Sequence, residues 1–140
     1  MADPLSPELL FRRGLAQFLH DKGHGVYKPV GSYTATERGI YTSGPTLPAA
    51  DNCIVLTSLP SIADGRADLT HRVQVFGRVK GNNIAAENLE QAIFADLDHT
   101  ENTPPSFYIS WTHRFSLLHF EADSNGCSAF AATYYFRGRR

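Results

Sequence analysis

The sequence predicts an α+β fold in which an antiparallel or mixed sheet of about four main strands carries two helices on one face. Two segments, near residues 7–22 and 84–98, repeat apolar side chains at the spacing of one helix face. Four other segments show the apolar–polar alternation or the short apolar run that is typical of strands. They lie near 52–59, 71–80, 106–121 and 127–137. The resulting order, α-loop-β-β-α-β-β, is typical of helices gathered on one side of a sheet.

The first helix has a recognisable start and end in the sequence. Ser6 can accept a hydrogen bond from an unpaired backbone N–H of the first turn, and Pro7 suits the first helical position, where an N–H has no partner anyway. Gly23 is expected to end the helix, because glycine readily takes the left-handed conformation there. The predicted buried stripe consists of Phe11, Leu15, Phe18 and Leu19.

A long connection rich in glycine and proline spans about residues 25–52. Two short β-like pieces in it, near 26–27 and 40–41, are expected to pair as a small hairpin. A connection of this length is usually functional or disordered. Tyr27, Tyr33 and Tyr41 favour an ordered loop, because such amphipathic rings tend to be buried. They either contact a partner or pack on the core of their own chain.

The segment 71–80 shows the clearest alternation. Its apolar face holds Val73, Val75 and Val79, and Gly77 on that face predicts a bulge or a close backbone approach. The opposite face holds Arg72, Gln74, Phe76 and Arg78. That second face is therefore expected either to be solvated or to bind a partner.

The second helix is expected over about 84–98. Its predicted buried stripe is Ala85, Leu89, Ile93 and Leu97. From Ile84 to Glu101 the chain holds five carboxylates and no Lys or Arg. An anionic helix face of this kind keeps a protein soluble, repels DNA inside a ring, or meets a basic surface on a neighbour. The residues leave these three readings open.

Composition narrows the class of protein. The chain has 140 residues, expected to form a single domain over 1–140, and its 42% apolar content excludes wholesale disorder. Its net charge of −1 argues against a generic nucleic-acid binder. The first residues do not resemble a signal peptide, and no apolar run approaches the roughly 20 residues that cross a bilayer. We expect a soluble protein without membrane contact, made in a reducing cytoplasm.

Chemical motifs are weak. Cys53 and Cys127 read as free thiols on strands, with one long-range disulfide as the alternative. His20 and His24 are four residues apart, but Gly23 separates them and no third ligand is evident, so no metal site is predicted. Scattered serines, histidines and acids include no nucleophile elbow, and no phosphate-binding glycine motif occurs. The sequence predicts no catalytic residue and no cofactor.

Several motifs recur in an order that resembles a known family. They are Gly-Leu-Ala at 14–16, Gly-x-Gly-Val-Tyr at 23–27, Tyr-Thr-Ala at 33–35, Ile-Val-Leu-Thr at 54–57, Arg-Val-Gln-Val at 72–75 and Ala-Ile-Phe-x-x-Leu at 92–97. Together they span nearly all of residues 11–98, and the last third of the chain matches loosely. In this order they resemble the tail terminator proteins of long-tailed bacteriophages, in particular the group labelled "minor capsid protein" in phages of actinobacteria.

The resemblance implies a structural protein of the virion. Such a protein assembles as a hexameric ring at the head-proximal end of the tail, after synthesis in the host cytoplasm. The ring caps the tail tube, stops its polymerisation and docks to head-completion or connector proteins, and DNA can pass through it without specific binding. The resemblance implies no catalysis and no cofactor.

A closed ring needs two different complementary patches on each subunit. One is expected on the sheet edge and polar face, at Arg72, Gln74 and Arg78. The other is expected to include the tyrosine loop, with Tyr27, Tyr33 and Tyr41.

The alternatives are a head-completion or neck connector protein, a small hydrolase and a nucleic-acid-binding sheet. The last would need several exposed aromatic side chains, and Phe76 is the one evident candidate on the polar face.

Overall fold

A computed structural model describes residues 6–29, 33–34, 36–42, 51–63, 68–105, 107–121 and 126–139. The two helices are α1 (Pro7–Asp21) and α2 (Asn83–Leu97). The five strands are β1 (Gly39–Tyr41), β2 (Cys53–Ala63), β3 (Asp68–Lys80), β4 (Ile109–Phe120) and β5 (Cys127–Arg139). Gly126, just before β5, has a φ of +78°.

The strands form one mixed sheet in the order β1-β2-β3-β5-β4. Only β1 and β2 are parallel, and the other neighbours are antiparallel. The predicted α+β fold is therefore confirmed, with five strands rather than about four. The expected hairpin between residues 26–27 and 40–41 is wrong, because Val26 forms a parallel bridge to Gly39. The other edge of β1 pairs with β2, which satisfies its backbone groups without a hairpin turn.

Both helices have caps of the expected kind. The Ser6 hydroxyl accepts a hydrogen bond from the Leu9 N–H at 3.1 Å, and Gly23 follows α1 with a φ of +83°. The Asn82 side chain accepts one from the Ile84 N–H at 3.1 Å. None of the described helices combines the length and apolar character needed to cross a membrane.

The two predicted helix stripes are almost correct. In α1, Ala16 is buried and Phe18 is only partly so. In α2, Ala86 rather than Ala85 is fully buried, and Glu90 is buried beside it. The buried residues of α2 are Ala86, Leu89, Glu90, Ile93 and Leu97. This set keeps the spacing of one helix face and admits one carboxylate to it.

Both helices lie on the same face of the sheet. Their apolar stripes form one core with side chains of the long strands, among them Ile54, Val75 and Phe130. Gly77 marks the predicted close approach, because a Cβ there would overlap the Phe130 ring. Residues of opposite parity on the same strands point away from both helices.

Candidate interaction surface

The sheet face turned away from both helices is the most distinctive surface of the molecule, and we call it the open face. Strand register assigns its members, because residues paired across neighbouring strands share a face. From β1 across to β4 they include Tyr41, Val55, Thr57, Leu59, Asp68, Thr70, Arg72, Gln74, Phe76, Arg78, Ala131, Thr133, Tyr135, Arg137, Trp111, His113, Phe115, Ser116, Leu118 and Phe120.

Four rings form a continuous aromatic row along β4 and β5. Trp111 stacks on His113 with ring centroids 4.3 Å apart, and His113 meets Tyr135 edge-on at 5.4 Å. Tyr135 in turn stacks on Phe115 at 4.6 Å. A bulge between Arg114 and Ser116 shifts the alternation of β4 after Phe115, so Leu118 and Phe120 also fall on the open face.

These rings remain open to solvent although they contact each other. Trp111 is 41% exposed and Phe115 is 62% exposed. Further along β4, Leu118 and Phe120 are 57% and 43% exposed. Sequence reasoning missed this row, although the i, i+2, i+4 spacing of Trp111, His113 and Phe115 in a predicted strand could have revealed it. The open face is therefore aromatic as well as polar.

Arginines accompany the rings on the open face. The Arg72 Nε donates a hydrogen bond to the Pro60 carbonyl at 2.7 Å, and the Arg78 guanidinium lies 5.6 Å from the centre of the Phe76 ring. At the end of the strands, Arg137 and Asp68 form an ion pair at 3.5 Å. No carboxylate of the described residues lies between these arginines in the middle of the face.

Five of the six predicted contact residues fall on this side of the sheet. Arg72, Gln74 and Arg78 lie on β3, and Tyr41 pairs with Val55 and so shares their face. Burial raises the pKa of Tyr41.

Tyr33 joins Tyr41 through a ring contact of 5.0 Å. It also donates a hydrogen bond from its hydroxyl to the Ile40 carbonyl at 2.7 Å. The sixth predicted residue, Tyr27, packs against the core instead, and its N–H donates to His20 Nδ1 at 3.0 Å. The two predicted patches therefore do not occupy opposite sides of the subunit, and their role in subunit contact remains a prediction.

The outer edge of β4 is paired along its first half only. Residues 98–102 cover that half, through hydrogen bonds such as His99 N–H to the Thr112 carbonyl at 2.7 Å and Asn102 N–H to the Ile109 carbonyl at 2.7 Å. Among the described residues, none pairs with the outer edge from 115 to 120. This half carries the most exposed apolar side chains of the strand and no Lys, Glu or Pro. Natural sheets usually protect a free edge with charged residues, especially Lys, or with Pro.

The acidic run on α2 is less uniform than the sequence predicts. Glu90 is 1% exposed and forms a buried ion pair with Arg114. Asp96 pairs with His24 at 2.6 Å, and Asp98 accepts a hydrogen bond from the Arg114 N–H at 2.7 Å. Glu87 and Glu101 are exposed. The outer surface of α2 is thus acidic but carries fewer carboxylates than the five in the sequence.

The remaining chemical candidates serve packing. His71 stacks on Phe11 at 4.2 Å, and burial lowers its pKa. Cys53 and Cys127 are buried free thiols on strands, as predicted, and burial raises the pKa of Cys53. Within the described ranges no three His, Cys, Asp or Glu side chains gather as metal ligands would. The aromatic and arginine side chains of the open face therefore form the candidate site.

Comparisons with known proteins give a likeness among solved structures. No protein-family model matches the chain, and no curated protein matches it. Among solved structures it is similar to a chain of the "virion of native gene transfer agent (GTA) particle", with a TM-score of 0.49 and 11% sequence identity. The match covers 72% of this chain and 78% of that chain.

Proposed function

We propose that this protein is a structural component of a virion, and more specifically a tail terminator. In this role it assembles as a hexameric ring, caps the tail tube, stops its polymerisation and docks to head-completion proteins. The observation that carries the proposal is the open face. Large apolar patches exposed on one side of a sheet typically mark a contact surface, whereas scattered apolar residues do not.

The composition of the open face supports contact rather than catalysis. Aromatic residues and arginine are enriched in the centres of protein interfaces, where lysine and acidic residues are depleted. Here Trp111, Phe115 and Tyr135 lie beside Arg72 and Arg78 on one surface. The ordered motifs between residues 11 and 98 that resemble tail terminators point to the same class of protein.

We include the predicted residues in this proposal. Arg72, Gln74, Arg78, Tyr33 and Tyr41 are proposed to contact neighbouring subunits or the tail tube, because they lie on the open side of the sheet. Tyr27 is proposed to act indirectly, since it anchors the start of the loop to the core. The ring is proposed to occupy the head-proximal end of the tail.

The first test is the mass of the protein in solution, measured by light scattering, with negative-stain images of the same sample. We expect particles of about six subunits, either alone or once tail tubes are added. Tubes assembled with the protein should stop growing and carry a ring at one end. Binding to filled heads without capping of tubes would instead support the head-completion or neck connector alternative.

The aromatic row favours one second candidate, a sheet that binds single-stranded nucleic acid. Bases stack on exposed aromatic rings, and arginine adds attraction to phosphate. Trp111 is the single tryptophan of the chain, so its fluorescence reports contact with the row directly. Quenching by an oligonucleotide that weakens with added salt would favour this candidate, and unchanged fluorescence would dismiss it.

A further inference from the structure

We propose that the open face of one subunit receives the acidic outer surface of α2 from a second copy of the chain. This inference rests on the proposed ring, and names the two surfaces that form it. The predicted residues Tyr33, Tyr41, Arg72, Gln74 and Arg78 all lie on one side of the sheet. A ring built from head-to-tail contacts needs a second, different patch elsewhere on the subunit.

Charge identifies the second patch. The middle of the open face holds Arg72 and Arg78 and no carboxylate of the described residues. Residues 83–101 contain no Lys or Arg and expose Glu87 and Glu101, with Asp96 31% exposed. Surfaces of opposite charge attract and orient each other during association. The α2 surface is therefore the electrostatic complement of the open face.

The apolar character of the α2 surface fits as well. Ile84 is 61% exposed at the start of the helix, and Ala92 and Ala95 are exposed further along it. Small alanine side chains allow a helix to approach a surface closely, and Ile84 adds an apolar contact. The α2 surface thus offers both charged and apolar groups to an aromatic, arginine-bearing face.

The dimensions of the two surfaces agree. A helix of 15 residues is about 22 Å long and about 10 Å across. Strands lie about 4.8 Å apart, so one helix covers two or three of them. A helix laid along β5 would also lie over β3 and β4, and its length matches about seven strand residues, as from Trp111 to Leu118. The sheet would then be buried between its own helices and the neighbour's helix, an arrangement that sheets commonly adopt.

Charge also argues against the simplest alternative, in which two open faces meet about a two-fold axis. Such a dimer would bring Arg72 and Arg78 of one copy against the arginines of the other, and among the described residues no carboxylate lies in the middle of the face. Like charges facing each other in an interface cost several kcal/mol. Because α2 and the open face lie on opposite sides of the sheet, their contact joins subunits head to tail. Rotation between successive subunits then closes a ring.

Reciprocal charge reversal tests the contact. The sheet variant carries Arg72→Glu and Arg78→Glu, and the helix variant carries Glu87→Lys and Glu101→Lys. Each variant alone faces like charges at every contact, so we expect self-association at least tenfold weaker than that of the natural chain. In an equimolar mixture each open face meets a helix of opposite charge, so assembly should return with the two variants alternating. The chain with all four substitutions should also assemble.

The matched control is Arg13→Glu with Lys22→Glu, two exposed cations at α1 that belong to neither surface. This pair should assemble like the natural chain, and circular dichroism should show that every variant is folded. Unchanged association of the sheet variant, or a mixture that fails to assemble, would overturn the proposed contact. An oligonucleotide whose binding is lost in the sheet variant while assembly is unchanged would assign the open face to nucleic acid instead.

The outcomes separate this inference from the proposed function. Rings that obey the charge-reversal pattern but do not cap tail tubes would contradict the tail terminator and leave the contact standing. Rings that cap tubes and ignore the charge reversals would support the terminator and contradict the contact.

Discussion

The two faces of the sheet differ in cover rather than in apolar character. On the face beneath the helices, Ile54, Val75 and Phe130 are fully buried. On the open face, Phe115 and Leu118 are 62% and 57% exposed although they belong to the same sheet. The covered face therefore stabilises the folded chain, and the open face keeps apolar surface available for a partner.

Charged residues follow the same division. On the covered side, Glu90 and Arg114 pair at the boundary between α2 and β4, and the Arg114 guanidinium lies 4.1 Å from the Phe94 ring. On the open side, Arg72 and Arg78 are half-buried between neighbouring strands. Substitutions on the covered side should therefore act on stability, and those on the open side on association.

The largest expected contrast comes from removing one phenylalanine from each face. Phe11→Ala should lower the free energy of unfolding by about 3–5 kcal/mol, because it leaves a cavity against His71, Phe107 and Phe136. Phe115→Ala should lower it by less than about 1 kcal/mol, because its ring is mostly solvated already. Urea unfolding followed by circular dichroism, at a concentration where the chain is monomeric, measures both.

The ranking of these two variants should reverse when self-association is measured instead of stability. Phe115→Ala should weaken self-association more than it weakens the fold. Equal losses of stability from the two substitutions would show that the open face belongs to the core of the monomer. The two faces would then not differ in their contribution to stability.

The next expected effect concerns the buried ion pair. Glu90→Leu should lower the free energy of unfolding by up to about 3 kcal/mol, because the partly buried guanidinium of Arg114 loses its carboxylate. Glu90→Leu combined with Arg114→Met should recover most of this loss, since no uncompensated charge remains. Urea unfolding of the single and double variants measures the coupling.

The control for this pair is Glu87→Leu, which removes a carboxylate from the solvated side of the same helix. Its stability should stay within about 0.5 kcal/mol of the natural chain. Should Glu87→Leu and Glu90→Leu cost the same, the carboxylates of α2 would be equivalent, and burial of Glu90 would contribute nothing particular.

Local sequence patterns predict strand faces and helix ends correctly, but they do not predict contacts between residues that are far apart in the chain. The valine alternation around Gly77 correctly predicts the two faces of β3, and Ser6 and Gly23 correctly predict the ends of α1. The burial of Glu90 escapes prediction, because its partner Arg114 lies 24 residues away on a strand whose position beside α2 depends on the whole sheet.

The candidate surface shows the same limit. Arg72, Gln74 and Arg78 are predicted from alternation within one strand, but the contact of Tyr135 with the rings of β4 needs β4 and β5 paired in register. The bulge between Arg114 and Ser116 then adds Leu118 and Phe120 to the same face. The position of Tyr41 beside the open face depends on the parallel pairing of β1 with β2, where the sequence favours a hairpin. Periodicity predicts the two faces of one strand at a time, whereas the open face is formed by side chains from five strands.

The smallest expected effect is a pH dependence that arises on the covered face. Burial against Phe11 lowers the pKa of His71, and Glu8 offsets part of that change. As pH falls below about 6.5, the pKa of a histidine in the unfolded chain, the unfolded chain binds a proton that folded His71 binds only at lower pH. The free energy of unfolding therefore declines as pH falls from about 6.5 through the lower pKa of folded His71.

His71→Phe retains a ring against Phe11 and removes this titration. Between pH 7.5 and 5 its free energy of unfolding should therefore decline less than that of the natural chain. A His71→Phe variant with the natural slope would assign the acid sensitivity to other groups.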